Sequence, residues 1–356
     1  MIKRLMIVLL LISPLTLGCD LNAAGPVSSS MLSPLANEPA REILIRNNVQ
    51  LALPAAPGVL RLSQSSDASL IDEMSSWPTP SGQIASIKAQ PAVLDHNYDG
   101  IADALYAVDS SGLVWYLPLN HSGFQSAQLL ADFSHLAAEF RQPLQLVQSV
   151  APSFGTAMQR QTMLLLIAST ASDGDILLMV KHSQASAGLI TLDSLVDRSA
   201  ISQAELQTGI AEPLWQQIQY SAGWYVHLQR RVSALPAVYA GVVYLTSAEN
   251  NQLNADCSLT NSAQPQLHAL HLHHAAAVYA QRQWQIVQPD AAVLQLQQNG
   301  QGELELLLHN EQQQQLVLTD ILAVDDSCAS CSALIPPNTF PRSMRLATFQ
   351  LEQGGH

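Results

Sequence analysis

The sequence contains one loop whose residue types and spacing suit metal binding, DHNYDGIAD at positions 95–103. Side-chain oxygens occupy loop positions 1, 3, 5 and 9, a backbone carbonyl is available at position 7, and glycine follows position 5. A chain with this spacing can curl around one hard cation. The donors are oxygens, without sulfur or imidazole, and so favour Ca2+ over zinc or copper. The predicted calcium ligands are Asp95, Asn97, Asp99, the carbonyl of Ile101 and Asp103.

The segment after the loop predicts a β-hairpin. Two apolar runs, Ala104–Val108 and Leu113–Leu117, are separated by the turn-forming residues 109–112. An EF-hand would require a bidentate glutamate at loop position 12, and that position is Tyr106, inside the first apolar run. The alternative to a calcium site is a plain surface turn, because Asp, Asn and Gly form turns readily.

Two blocks of sequence carry a family resemblance. In the first, the pattern D-x-x-Y-x-x-D-x-x-G-x-x-W is met by Asp103, Tyr106, Asp109, Gly112 and Trp115. The second block consists of GWY at 223–225, LPA at 235–237, GVVYLT at 241–246, Cys257 and LHAL at 267–270. Over roughly residues 80–275 the chain therefore resembles the C-terminal β-propeller of the PilY family, the type IV pilus biogenesis and tip-associated adhesin proteins.

This resemblance implies a calcium-binding β-propeller without catalytic activity. It implies a role in type IV pilus assembly or in the balance of pilus extension and retraction, with minor pilins or other pilus components as partners. The chain departs from the family in having almost no sequence before the propeller, where members usually carry an adhesive region. His268 also replaces a tyrosine, and further histidines follow it. Adhesion is therefore less expected here than calcium binding.

The N-terminus predicts a lipoprotein signal peptide at residues 1–18. Lys3 and Arg4 form its basic start, Leu5–Leu17 its apolar core, and Cys19 follows a small residue as the predicted lipidation site. The alternative is an ordinary signal peptide with an incidental cysteine. Residues 19–40 are predicted to form a flexible tether. The expected location is the cell envelope, with the protein lipid-anchored on the periplasmic face of the inner or outer membrane, or at the cell surface with the pilus.

Residues 41–356 are predicted to form one all-β domain, a degenerate β-propeller. Short apolar runs alternate with turn residues, as in Met163–Ala168 with Ile176–Val180 and Val242–Leu245 with Leu267–Leu272. At ~40–45 residues per blade the domain has room for about seven blades, and closing the ring hides the sheet edges. One or two short helices are expected within 189–218, as an excursion between blades.

Composition narrows the classes of function. The sequence has 15 Lys and Arg residues and 28 Asp and Glu residues, for a net charge of −13. Such a charge excludes a nucleic-acid partner that is bound by neutralising its phosphates. The nucleophile-elbow, zinc-protease and phosphate-loop motifs of common enzymes are missing from the sequence, so no enzyme activity is predicted. Two alternatives to the pilus role are an envelope scaffold that holds a partner through its loops and a calcium-dependent quinoprotein dehydrogenase. The latter is less favoured, because an adjacent cysteine pair and repeated tryptophan docking motifs are missing.

Cysteines and histidines offer two further candidate sites. Cys257, Cys328 and Cys331 are disulfide candidates, bonded either locally or from Cys257 to one of the other two. Redox catalysis and zinc binding are the disfavoured alternatives for this C-x-x-C spacing. On a strand, His271 and His273 would share one face as a possible soft-metal pair. A solvated strand face and turn is the favoured interpretation of these histidines.

Overall fold

The computed structural model describes residues 43–46, 49–54, 56–97, 101–120, 122–152, 158–171, 174–182, 188–249, 264–288, 292–319 and 321. The predicted signal peptide, the tether and all the cysteines lie outside these residues, as does the predicted ligand Asp99. Within the described part of the chain, no helix has the length and apolar character needed to span a membrane.

The first half of the described chain forms strands almost without helix. Its strands are β1 Ile43–Arg46, β2 Val49–Ala52, β3 Leu60–Gln64, β4 Leu70–Met74, β5 Ala92–Leu94, β6 Ala104–Val108, β7 Leu113–Asn120, β8 Gly123–Phe124, β9 Gln128–Asp132, β10 Gln145–Pro152, β11 Met158–Ser169 and β12 Asp175–His182.

The second half adds two short helices. Its elements are β13 Ile190–Thr191, β14 Val196–Asp197, α1 Gln203–Thr208, α2 Glu212–Tyr220, β15 Gly223–His227, β16 Arg231–Tyr239, β17 Val242–Ala248, β18 Gln266–His271, β19 Gln283–Gln285, β20 Val293–Gln298, β21 Leu304–His309 and β22 Gln314–Leu318. One-turn 3-10 helices occupy Ser134–Leu136 and Leu192–Ser194.

The described strands form five sheets that follow one another along the chain. Sheet 1 has the order β1-β2-β3-β4, and sheet 2 the order β13-β9-β7-β6-β5, with β8 on β7. Sheet 3 has the order β10-β11-β12-β15-β14, sheet 4 the order β16-β17-β18-β19, and sheet 5 the order β20-β21-β22. Neighbours are antiparallel except for two short edge strands, β13 on β9 and β14 on β15.

The central strands of sheets 2, 3 and 4 are buried on both faces, because each of these sheets is stacked between two others. On β6, Leu105 and Ala107 pack against sheet 1, while Tyr106 and Val108 pack against sheet 3. The same alternation on β11 and β17 joins sheet 3 to sheet 4 and sheet 4 to sheet 5. Side chains of a strand point alternately to its two faces, so a continuous apolar run is what such a position requires.

This arrangement is the radial stacking of β-propeller blades. The opening strands of successive sheets touch, β5 with β10 and β16 with β20, as the inner strands of blades do. The predicted all-β propeller is therefore confirmed, as are the pairings of β11 with β12 and β17 with β18. The described residues form five sheets. The prediction of about seven blades concerns residues 41–356, which include residues outside the described ranges, and it stays a prediction.

The expected helical excursion lies between β12 and β15 of sheet 3. Ser202 caps α1 by accepting from the Glu205 backbone N–H at 3.1 Å. Lys181 Nζ donates to the Ile218 carbonyl at 2.6 Å, and so places a cation at the negative end of α2. The flanking strands β13 and β14 add to sheets 2 and 3 respectively, so the excursion ties two blades together.

Candidate metal centre

The predicted calcium loop is the connection of a hairpin. Strands β5 and β6 pair antiparallel, with Leu94 opposite Ala104. The Asp103 N–H donates to the Leu94 carbonyl at 2.8 Å and closes the loop at its base. Asp95 and Asp103, the first and last predicted ligands, therefore flank the same closing pair.

Asp103 turns its carboxylate back into the loop. Its Oδ2 accepts from the His96 backbone N–H at 2.7 Å. Its carbonyl accepts from the Leu119 N–H at 2.8 Å, which ties the loop to β7. Ala102 is buried and packs among the apolar residues between sheets 1 and 2. The second end of the loop is thus fixed on the body of the propeller.

Four of the five predicted ligands lie within the described residues. Asp95 and Asp103 are partly buried, and Asn97 and Ile101 are exposed. Nowhere in the described ranges do three His, Cys, Asp or Glu side chains group closely enough to hold a metal ion. The predicted set has only two carboxylates in these ranges, since its other donors there are an amide and a backbone carbonyl. These donors fit Ca2+ chemically, because all are oxygens and two carry negative charge.

A residue that sequence reasoning missed reaches this loop from the next blade. Arg160, on β11, donates from Nη1 to the His96 carbonyl at 2.7 Å. Its guanidinium fixes the loop to sheet 3 and brings a positive charge to a predicted cation site. Nothing in the sequence signals this contact, because it joins residues 64 positions apart on two separate sheets.

The turn after the loop is built by a buried aspartate. Asp109 is fully buried, and its Oδ1 accepts from the Ser111 N–H, the Ser111 hydroxyl and the Leu113 N–H at 3.0, 2.6 and 3.0 Å. Gly112 has a φ of +100°, and a Cβ there would lie 2.8 Å from the Phe140 ring. These two residues of the PilY-like pattern therefore shape the turn between β6 and β7.

The aromatic residues of the same pattern hold sheets together. The Tyr106 hydroxyl lies 2.5 Å from His182 Nδ1, across the boundary between sheets 2 and 3. Burial raises the pKa of Tyr106 far above its usual value and lowers the pKa of His182, so both groups are neutral where they meet. Trp115 is buried and packs on Trp77 with ring centroids 5.0 Å apart. Of the five pattern residues, only Asp103 belongs to the metal loop.

A local turn signal recurs outside the loop and was missed by sequence reasoning. An aspartate accepts hydrogen bonds from the backbone N–H and hydroxyl of a serine two residues later, which satisfies the turn locally. For Asp132 these bonds from Ser134 lower the carboxyl pKa. The aspartates are Asp67, Asp109, Asp132 and Asp197.

The histidines at the end of β18 and in the turn after it, His271, His273 and His274, pack against one another. His271 and His274 stack face to face, with centroids 3.7 Å apart and planes inclined by 5°. His271 Nδ1 accepts from the His273 N–H at 3.2 Å, and His274 Nδ1 accepts from the Ala276 N–H at 3.3 Å. These lone pairs are used in the fold. His271, His273 and His274 are all partly exposed, and burial lowers the pKa of His271 and of His273 to about 4.

The sequence matches no family model and no curated protein. Among solved structures, the chain is similar to the C-terminal domain of PilY1 from Pseudomonas aeruginosa, at 13% identity and a TM-score of 0.47, over 78% of this chain and 71% of that one. It is also similar to the Dos1 propeller, at 8% identity and a TM-score of 0.39, over 73% and 49% of the two chains. A third similar structure is an endo-arabinase from Bacteroides thetaiotaomicron, at 12% identity and a TM-score of 0.30, over 82% and 97%. The first of these belongs to the family that the sequence blocks resemble, and the propeller architecture follows from the chain's own sheet order and packing.

Proposed function

We propose that this protein is a non-catalytic, calcium-binding β-propeller that acts in type IV pilus assembly or in the control of pilus extension and retraction. The observation that carries the metal part is the hairpin loop whose closing residue, Asp103, turns its carboxylate inward. The pilus part is supported by the PilY-like sequence blocks at 103–115 and 223–270. Minor pilins are the proposed partners.

Calcium would be held by Asp95, Asn97, Asp99, the Ile101 carbonyl and Asp103. The ion would supply positive charge to a loop whose carboxylates otherwise repel one another. Asp103 already positions itself through its backbone bonds to β5 and β7. Because the loop connects β5 and β6 of sheet 2, a bound ion that orders the loop would also stabilise the pairing of these two strands.

The metal claim is tested by thermal unfolding of the full chain in calcium and in chelator. We expect calcium to raise the Tm, and Asp95→Asn to abolish that increase. Asp67→Asn is the matched control, since Asp67 is an exposed turn aspartate on sheet 1 and asparagine can keep its bonds to Ser69. A Tm that does not respond to calcium, or that responds equally in Asp95→Asn, contradicts calcium binding.

The pilus claim is tested by affinity capture from the native envelope, with and without chelator. We expect minor pilins to be recovered in calcium, and to be lost with chelator or with Asp95→Asn. Recovery of transport or outer-membrane assembly proteins in place of pilins would favour the envelope scaffold. Calcium-dependent stability without pilin capture would leave the metal claim standing and remove the pilus claim.

The lipid anchor is part of the same proposal and has its own test. Metabolic labelling with palmitate should mark the wild-type protein and leave Cys19→Ala unlabelled. Labelling that persists in Cys19→Ala would contradict lipidation at that residue.

A further inference from the structure

A polar cavity lies between sheets 3 and 4, far from the calcium loop in sequence. Its volume is about 180 Å³. One wall is the end of β15 with the turn that follows it, and the opposite wall is formed by β18 and β19. Its polar lining includes His227, Arg230, Gln266, His268, Arg282 and Gln283, together with Ser199 and Gln229.

The cavity wall carries positive charge and no carboxylate among its lining residues. Arg282 donates from Nη1 to the Arg198 carbonyl at 2.5 Å and from Nη2 to the Ser199 carbonyl at 2.6 Å. Carbonyl acceptors hold a guanidinium in place without cancelling its charge. Arg282 forms no ion pair with any carboxylate of the described residues, although Asp197 and Glu205 act on it from a distance.

Arg230 adds a second guanidinium at the rim of the cavity. Its Nη1 donates to the Gln264 carbonyl at 2.8 Å, and its Nη2 lies 3.3 Å from the exposed Glu249 carboxylate. The Arg230 side chain is 15% exposed and that of Glu249 47%, so solvent screens this pair only in part. An oxyanion in the cavity would compete with Glu249 for the Arg230 charge.

His268 closes the cavity at depth as a neutral group. It is buried, and its Nε2 lies 2.8 Å from the Ser247 hydroxyl. Burial, and then the charges of Arg282 and Arg230, lower the pKa of His268 to about 3. The imidazole therefore contributes a hydrogen-bonding group, while the two arginines contribute the charge.

We propose that this cavity binds a small oxyanion, a carboxylate or a phosphate group, between Arg230 and Arg282. Guanidinium N–H groups are strong donors to both kinds of oxyanion, and their positive charge strengthens such hydrogen bonds. The amides of Gln266 and Gln283 supply further donors for the ligand. A volume of about 180 Å³ is enough for inorganic phosphate or a short hydroxy acid. The overall charge of −13 makes this positive wall a local exception.

The test is isothermal titration of the full chain with inorganic phosphate and, separately, with citrate at constant ionic strength. We expect saturable binding of at least one probe, and affinity reduced about tenfold or more in Arg282→Gln and in Arg230→Gln. Arg61→Gln is the matched control, because Arg61 is a partly exposed arginine on sheet 1, paired with Glu73 at 2.6 Å. Which probe binds identifies phosphate or carboxylate as the source.

Arg282 also holds two backbone carbonyls, so its variant is first checked by thermal unfolding. If Arg282→Gln does not fold, the anion affinity of Arg230→Gln, compared with that of the wild-type protein, tests the proposal. No saturable binding of either probe by the wild-type protein overturns the proposal. Wild-type affinity in both cavity variants, or an equal loss in Arg61→Gln, overturns it as well, since the anion would then be bound elsewhere.

Discussion

At the scale of single residues, Asp103 combines two tasks in one carboxylate. One oxygen holds the His96 N–H and thereby shapes the loop. The same carboxylate is a predicted calcium ligand. Because an asparagine side chain keeps an acceptor oxygen but loses the charge, the two tasks can be separated by substitution.

We predict that Asp103→Asn and Asp103→Ala differ in chelator. Asn should keep the bond to the His96 N–H and lose only the increase in stability that calcium gives. Ala should lose both, at a cost of about 1–2 kcal/mol in chelator for the missing acceptor. Urea unfolding in calcium and in chelator measures both quantities. If Asn and Ala are equally unstable in chelator, the His96 bond does not shape the loop.

We also predict that Arg160→Gln tightens calcium binding. Glutamine retains an N–H donor for the His96 carbonyl but removes a positive charge beside the cation. Repulsion between two solvent-exposed charges a few ångströms apart is on the order of 1 kcal/mol. Calcium affinity should therefore improve by a few fold in Arg160→Gln, and this improvement should shrink in high salt. Calcium titration of Arg160→Gln and of Arg61→Gln tests this. An equal response of both variants would point to overall charge alone.

At the scale of elements, the hairpin of β6 and β7 is the part that sequence predicted best. Its apolar runs are continuous and its turn residues are specific, so β6 has the predicted bounds, while β7 continues past the predicted end at Leu117 to Asn120. The preceding strand β5 has only three residues and could not be recognised alone. The contact of Arg160 with the loop and that of Tyr106 with His182 join different sheets, and depend on blade packing that no local pattern encodes.

The turn of this hairpin gives a prediction about crowding. Gly112→Ala should cost about 1–2 kcal/mol for a left-handed residue and a further 1–3 kcal/mol for overlap with the Phe140 ring. Gly241→Ala is the control, because Gly241 also has a positive φ, +80°, but nothing lies within 4 Å of its Cβ position. Urea unfolding should show a clearly larger loss for Gly112→Ala. Equal losses would mean that Phe140 moves aside.

At the scale of the whole molecule, the boundaries between blades differ in chemistry. Sheets 1 and 2 meet through apolar side chains, among them Trp115 and Leu105, and sheets 2 and 3 meet through Val108 and its apolar neighbours together with the pair Tyr106–His182. Sheets 3 and 4 also share an apolar cluster, but the polar cavity and the stacked histidines lie beside it. Lowering the pH should therefore destabilise the boundary between sheets 3 and 4 before the other boundaries.

The histidines set the direction of that effect. The folded pKa values of His268, His271 and His273 are about 3, 4 and 4, below the usual 6.5 or so. The unfolded chain thus binds more protons than the folded chain between about pH 4 and 6.5, and stability is lost as pH falls through this window. The nearby charges Arg230, Arg282 and Lys181 lower these pKa values further, so they act in the same direction.

We predict that His268 alone costs about 2–3 kcal/mol at pH 4.5 relative to pH 7.5. His268→Gln should reduce the pH dependence of urea unfolding, whereas His135→Gln, at an exposed site, should leave it unchanged. Hydrogen exchange should show the amides of β15 and β18 losing protection at pH 4.5 before those of β2 and β3, because the apolar cluster that covers β2 and β3 contains no histidine. Simultaneous loss in both pairs of strands would show that acid unfolds the propeller as one unit.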